Sequence, residues 1–388
     1  MKPQLRAVLP DLLADRECLD LREYDPTGEQ QPLEPDLSWA VPGYAPDRET
    51  LGVVDGIMAR HPFDTVVASS EWNVAFGAFL RSRYDLPGLT YDQALAGTNK
   101  WLMKRRLAHA LPSARCWLSG TFVEGVDDRP AEVVVKPLSG ASSKGVRRLP
   151  ASRAVELLRG TTELLLVEEA LTVEEELHCD GVVRGGEILD VVPSLYTAPV
   201  LDSVGSNLAS VHLPTTDRRH DEAVTAARRL LGAIGVTDFV FHLELLRSRG
   251  RLLFGEIGLR PAGGGVAESL ASWYGLTVWG EFVRLQLGRM PAARSGARGG
   301  HEDYRGVLGL AADPSGRRRM LDEDELRSVP GVVEVLPGVA DAQRQAHAGS
   351  GSAFARLALF SVGSAEDAQA LVAEVTRRAQ PRSAVPVR

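Results

Sequence analysis

Residues 237–246 (TDFVFHLELL) and 251–257 (RLLFGEI) are two strand-length apolar runs separated only by RSRG, so the chain here must double back as a hairpin. Each run carries a glutamate near its end, Glu244 and Glu256. The hairpin brings the two carboxylates together, and they repel unless a cation lies between them. Glu256 stands in an otherwise uncharged stretch, LLFGEIG, where an unpaired charge is costly. Mg²⁺ is the cation that takes one or two carboxylates together with nucleotide phosphates.

A second constraint lies about 110 residues upstream. AEVVVKPLSGASSKGV (131–146) is an apolar run ending in Lys136, followed by a loop of small residues. Ser139, Ser142, Ser143 and Gly145 carry little bulk, so backbone N–H groups can approach phosphate oxygens and the hydroxyls add donors. Lys136 is fixed at a strand end, whereas Lys144 sits in the loop. The spacing is neither GxxxxGK[ST] nor a strand-turn-helix GxGxxG. The chain has only five lysines, Lys2, Lys100, Lys104, Lys136 and Lys144, and four fall between 100 and 144. A chain that otherwise uses arginine has concentrated its mobile point charges where phosphates would bind. Arg260, four places after Glu256 and followed by PAGGG, can grip a carboxylate or acyl phosphate in bidentate fashion.

At 388 residues the chain should form two or three domains. Residues 1–96 read as an α/β domain, with a strand at 63–70, a helix at 73–84 and an irregular stretch at 26–48. Helices are expected at 98–111, capped at Thr98 or Asn99, at 153–160 and at 221–233. Strands are expected near 115–122, 131–136, 163–171 and 188–196. A glycine-rich break at 291–304 precedes a small β-α-β-β-α unit, whose loop at 343–353 is expected to be flexible. No run of 18 apolar residues exists, so no membrane span is expected. Cys18, Cys116 and Cys179 have no paired spacing, and the N-terminus lacks a secretory core; a cytoplasmic protein is expected. The net charge of −7 argues against a nucleic-acid partner.

Taken in order, these motifs resemble those of the ATP-grasp superfamily, specifically its ADP-forming carboxylate–amine ligases, over roughly residues 60–285. The resemblance implies a multidomain α/β and α+β chain. Its parts would be an N-terminal α/β (pre-ATP-grasp) domain at 1–96, an ATP-grasp core at 97–290 with a lid at about 112–170, and a C-terminal α+β unit at 305–388. TNK (98–100) is similar to the opening whose lysine contacts phosphate, implicating Lys100; VVVKP implicates Lys136. LLVEEAL (165–171) resembles the hinge whose backbone at Glu169 and Leu171 reads adenine, with Glu168 beside it. EELHCDGVV (175–183) resembles the ribose-binding segment, through Glu176. Glu244 and Glu256 correspond to the metal carboxylates, and Arg260 to the arginine that steadies the acyl phosphate. The family often reads Glu-x-Asn-x-Arg there; this chain has Gly258 in place of the asparagine, leaving that position without a side-chain ligand.

The implied cofactors are ATP and Mg²⁺, with Mn²⁺ an acceptable substitute. The implied reaction joins a carboxylate, expected from an amino acid, to an amine through an acyl phosphate, with release of ADP and phosphate. Lys144 and Arg260 would act on the transferring group. The partners would be these two small molecules, with 194–207 bordering their pocket. The C-terminal unit would cover the acceptor site or make a homodimer contact. Alternatives are a purine-biosynthesis or carboxylase type of ATP-grasp enzyme, a phosphotransferase that stops at the acyl phosphate, and a non-catalytic nucleotide sensor. His178 and His212 are candidates for the base that deprotonates the amine, although a satisfied structural role is the commoner one for such histidines.

Overall fold

The computed structural model describes residues 20–23, 38–41, 44–290, 301–313, 318–336 and 354–380. Strands Asp20–Glu23 (β1) and Ser38–Val41 (β2) pair in parallel. Helices Arg48–Arg60 (α1) and Val74–Tyr84 (α2) follow, α1 capped by the Asp47 side chain, which accepts from Thr50 N. The strand expected at 63–70 does not form. That segment finds no strand to pair with and packs on α2 instead. Gly77 approaches it so closely that a Cβ there would lie 2.5 Å from Ala68 Cβ. Arg81, buried on α2, donates to Val66 O and to Gln286 Oε1 at 2.5 and 2.6 Å, which ties the segment down. Helix Tyr91–Ala96 (α3) carries a Thr90/Gln93 capping box, and helix Lys100–Leu107 (α4) is capped by Asn99.

A four-stranded antiparallel sheet comes next. Its strands are Cys116–Leu118 (β3), Glu132–Pro137 (β4), Arg147–Pro150 (β5) and Leu165–Glu169 (β6), in the order β3-β6-β4-β5. The apolar run after Arg115 switches at Ser119 to helix Ser119–Glu124 (α5), and helix Ala151–Arg159 (α6) packs beside it. Phe122, Val133, Val135, Ala154 and Val167 form the core of this unit.

The remaining strands make one large sheet. They are Glu175–Arg184 (β7), Glu187–Tyr196 (β8), Leu208–His212 (β9), Phe239–Ser248 (β10), Arg251–Gly258 (β11), Tyr304–Ala311 (β12), Val332–Leu336 (β13) and Phe354–Val362 (β14). The order is β11-β10-β7-β8-β9-β12-β14-β13, antiparallel throughout. RSRG closes the β10–β11 hairpin as expected. Both faces are covered. Helix Arg218–Ala233 (α7) packs Ala223, Ala227 and Leu230 against Leu177, Cys179 and Leu243. Helices Val266–Tyr274 (α8) and Val278–Gln286 (α9) cover Val182 and Val240 on the opposite face.

The C-terminal β-α-β-β-α order appears as β12, helix Glu323–Arg327 (α10), β13, β14 and helix Ala365–Arg378 (α11). These strands continue the large sheet, because β12 pairs with β9. The segments 291–300 and 343–353 lie outside the described residues. Among the described residues no helix is long and apolar enough to cross a membrane.

Gly306 sets how closely β12 can join β9. A Cβ there would stand 2.1 Å from Ser210 O and 2.7 Å from the Phe360 ring. Gly306→Ala is therefore expected to force the strands apart and destabilise the protein by about 1–3 kcal/mol, the usual cost of overpacking. A shift of the urea midpoint checks this; an unchanged midpoint would show that β12 docks without that approach.

Candidate active site

Strand register builds the site. Glu256 lies opposite Glu244, Glu244 opposite His178, His178 opposite Ser194, and Ser194 opposite His212. Residues directly opposite in antiparallel neighbours point to one face. One rung across β11, β10, β7, β8 and β9 thus carries two carboxylates, two imidazoles and a hydroxyl. The next rung places His242 opposite Asp180 and opposite Gly258.

These polar groups satisfy one another. His178 bonds Asp180 Oδ2 at 2.6 Å through Nδ1 and Ser210 Oγ at 2.8 Å through Nε2. His242 bonds Asp180 Oδ1 at 2.9 Å and lies 3.3 Å from Glu244 Oε1. Burial works against a charged His242, but Asp180 and Glu244 outweigh it and raise its pKa to about 10. Burial likewise opposes ionisation of Glu244, yet His242 holds that carboxyl below its usual value. His212 bonds Ser194 and Ser269 through its two ring nitrogens, and burial lowers its pKa to about 3. Both expected base candidates, His178 and His212, are thus buried with both nitrogens engaged, as structural histidines are.

The lysines approach from helix α4 and strand β4. Lys100 Nζ donates to Glu256 Oε1 at 2.8 Å and to Gly140 O at 2.7 Å, linking the β11 carboxylate to the small-residue loop. Lys104, one turn further along α4, donates to Gly255 O at 2.9 Å and pairs with Glu168 Oε1 at 3.0 Å. Lys136 Nζ pairs with Glu168 Oε2 at 2.8 Å. Burial opposes the Lys136 ammonium, but Glu168, Glu256 and Glu244 together raise its pKa. Burial also opposes ionised Glu168, and Lys104 and Lys136 overcome it, holding that carboxyl at about 2. Glu168 stands next to Glu169 at the end of β6, and its side chain lies between the two lysines.

The loop after β4 is held in an unusual backbone. Ser142, Ser143 and Gly145 all have positive φ, at 60°, 58° and 75°. Left-handed non-glycine residues cost about 1–3 kcal/mol each and tend to occur at ligand clamps. Lys144 Nζ lies 5.7 Å from the centre of the Trp72 ring, and Ser139 is exposed. Arg260 Nε donates to Glu71 Oε2 at 2.7 Å and one terminal nitrogen to Pro261 O at 2.9 Å. Glu71 is buried; the loss of water raises its carboxyl pKa although Arg260 pulls the other way.

At the hinge, Glu169 N–H donates to Arg115 O and Ala170 N–H to Glu132 O. Leu171 N–H donates to no backbone carbonyl among the described residues. The Glu169 side chain pairs with Arg115 at 2.7 Å. Glu176 Oε2 accepts from Val200 N at 2.8 Å, which fixes the entry to the 194–207 segment. Its burial, with Glu244 nearby, raises the Glu176 pKa to about 8.

No family model matches the sequence. The chain is 30% identical over 276 residues to the L-arginine-specific L-amino acid ligase of Bacillus subtilis, an alignment covering 65% of this chain and 66% of that protein, a little under two thirds of its length. The L-amino acid ligase of Bacillus licheniformis superposes with a TM-score of 0.66 at 18% identity, over 88% of this chain and 86% of that one. An Aspergillus clavatus N5-carboxyaminoimidazole synthase in complex with ADP and 5-aminoimidazole ribonucleotide superposes with a TM-score of 0.64 at 13% identity, over 96% and 95%. The chain is thus similar in sequence to one amino acid ligase and in fold to another. Its mixed α/β fold is the ATP-grasp fold.

Several contacts of this site had no assignment from the sequence. Lys104 was visible as one of five lysines, and its position four residues after Lys100 was the available signal. His242 and Asp180 stand two residues from Glu244 and His178, so a strand reading could have placed each pair on one face. Glu71 gave no signal, because only tertiary packing brings residue 71 to residue 260.

Glu168 provides a stability test. Its pKa is lowered, so the stabilisation from its charge is complete above the unfolded value of 4.5 and is lost as pH falls through about 2. Glu168→Gln leaves Lys104 and Lys136 uncompensated and should cost about 3–5 kcal/mol near neutral pH. Urea unfolding should show that loss together with a flatter pH dependence between 4.5 and 2. Equal stability of variant and parent at pH 7 would refute the electrostatic role.

Proposed function

We propose that this protein is an ATP-dependent amino acid ligase that forms a peptide-like amide bond and releases ADP and phosphate. One observation carries the reading: Lys100 and Lys136 converge with Glu244 and Glu256 between the two sheets. The 30% relative supports amino acids as substrates. The carboxyaminoimidazole synthases match at 13–15% identity, which speaks for fold alone.

In this reading Lys100, Lys136, Lys144 and the 138–146 loop hold the phosphates. The Leu171 N–H and the Glu169 carbonyl meet adenine, and Glu176 meets the ribose. Glu168 acts indirectly, by fixing Lys136. The directly opposed pair Glu244 and Glu256, with a nearby buried carboxylate oxygen that lacks a partner, fits a hard divalent cation. Those two residues would hold Mg²⁺, which neutralises charge on the phosphates when bound. Residues 1–96 serve as the pre-ATP-grasp domain and 97–290 as the core, with 305–388 extending its sheet.

The chemistry has two steps. A carboxylate oxygen of the first amino acid bonds to the γ-phosphorus as the bridge to the β-phosphate breaks, giving an acyl phosphate and ADP. The second amino acid's nitrogen then bonds to the acyl carbon, the carbon–oxygen bond to phosphate breaks, and the amine loses a proton. Lys144 and Arg260 offset charge on the transferring group, and the rest of the site positions the reactants.

Pairs of amino acids incubated with ATP are expected to yield ADP, phosphate and a product whose mass is that of the pair less water. Lys136→Ala and Glu256→Gln should each lower turnover at least roughly 10²-fold with an unchanged circular dichroism spectrum. Normal turnover in either variant would refute the site. Formation of AMP and pyrophosphate would replace the acyl phosphate with an adenylate. Hydroxylamine should trap the intermediate as a hydroxamate.

A further inference from the structure

Gly258 lies two residues after Glu256 on β11 and shares its face. The three atoms nearest a Cβ built at 258 all belong to side chains. They are Glu71 Oε2 at 3.4 Å and Arg260 side-chain atoms at 3.6 and 3.8 Å. An amide side chain at 258 would place its oxygen two bonds beyond that Cβ, where the Glu71 carboxylate now stands. The seat that glycine leaves open is filled by a carboxylate from outside the sheet.

Glu71 is 5% exposed. Arg260 holds Oε2, while Oε1 has no hydrogen-bond partner among the described residues. A buried carboxylate oxygen left unpaired is costly, and so calls for a partner. The neighbouring residue, Trp72, lies against Gly140 of the small-residue loop, where a Cβ would approach its ring at 3.1 Å. The turn that carries Glu71 is therefore part of the site wall.

We infer that Glu71 is a metal ligand standing in for the asparagine that position 258 lacks, so that the divalent cation is held by carboxylates from β10, β11 and the 70–72 turn. This rests on the reading of Glu244 and Glu256 as the metal carboxylates. A divalent cation suits the position better than a substrate ammonium. Glu71 lies near enough to Glu256 to feel its charge, and Lys100, Arg260 and the charged His242 contact these acids without engaging Glu71 Oε1, a hard oxygen donor of the kind a divalent cation takes.

Mn²⁺ binding in the presence of ADP, read by electron paramagnetic resonance of the free ion, tests this without turnover. E71A should weaken Mn²⁺ binding on the order of 10- to 100-fold, and the double variant E71A/G258N should recover most of it. E71Q keeps the side-chain shape and gives a second reading if E71A does not fold; its affinity should also fall. Wild-type Mn²⁺ affinity in E71A or E71Q, with affinity lost in E256Q, overturns the role of Glu71 alone. Loss in E71A that G258N does not restore also overturns it. Wild-type affinity in E256Q overturns the metal site itself.

Discussion

Two lysines one helical turn apart hold the site together. Helix α4 sends Lys100 to Glu256 on the large sheet and Lys104 to Glu168 on the small one. Met103 and Leu107 bury the same helix in the core below the hairpin. Removing one member of a buried ion pair strands its partner at about 3–5 kcal/mol, so each lysine and its carboxylate are fixed jointly. Lys136 closes the network from β4 through the other oxygen of Glu168. The relative position of the two sheets is thus set by charge pairs as well as by apolar contact. On the proposed reading, the same lysines exchange carboxylate oxygens for phosphate oxygens when ATP enters, and the cleft already carries the right signs.

The large sheet solves a different problem. Its inner rung concentrates acids and imidazoles that burial alone would neutralise. Asp180 accepts from two histidines and keeps its charge, and His242 keeps its own between Asp180 and Glu244. Glu244 can then remain an anion inside a packed sheet. The histidines that looked like bases in the sequence are better understood as the polar lining that makes an acidic rung tolerable.

Much of this was legible because it is local. The hairpin at RSRG, the loop after Lys136 and the sparse lysines follow from residues within a few positions of one another. Periodicity also gave the β-α-β-β-α tail, though not its fusion to β9, which depends on a close approach at Gly306. The strand expected at 63–70 failed for the converse reason. The segment is only half-buried, against a helix, and a short apolar run does not distinguish that from a strand in a sheet. Glu168 looked like a hinge residue by position, and its orientation toward Lys104 depends on a contact between residues 64 positions apart.

Gly258 shows why a missing motif residue is weak evidence for a missing function. A ligand sphere is defined in space, and any element that reaches the same place can supply the oxygen. Here the strand gives up a side chain and the chain nearly 190 residues earlier offers a carboxylate at the vacated position. The exchange changes more than geometry: an amide becomes an anion. That anion needs Arg260 as a counterion, so the arginine expected to meet the acyl phosphate also anchors the replacement. A chain built this way couples the 70–72 turn directly to the metal face, and movement of that turn would alter the charge at the site where phosphoryl transfer is proposed.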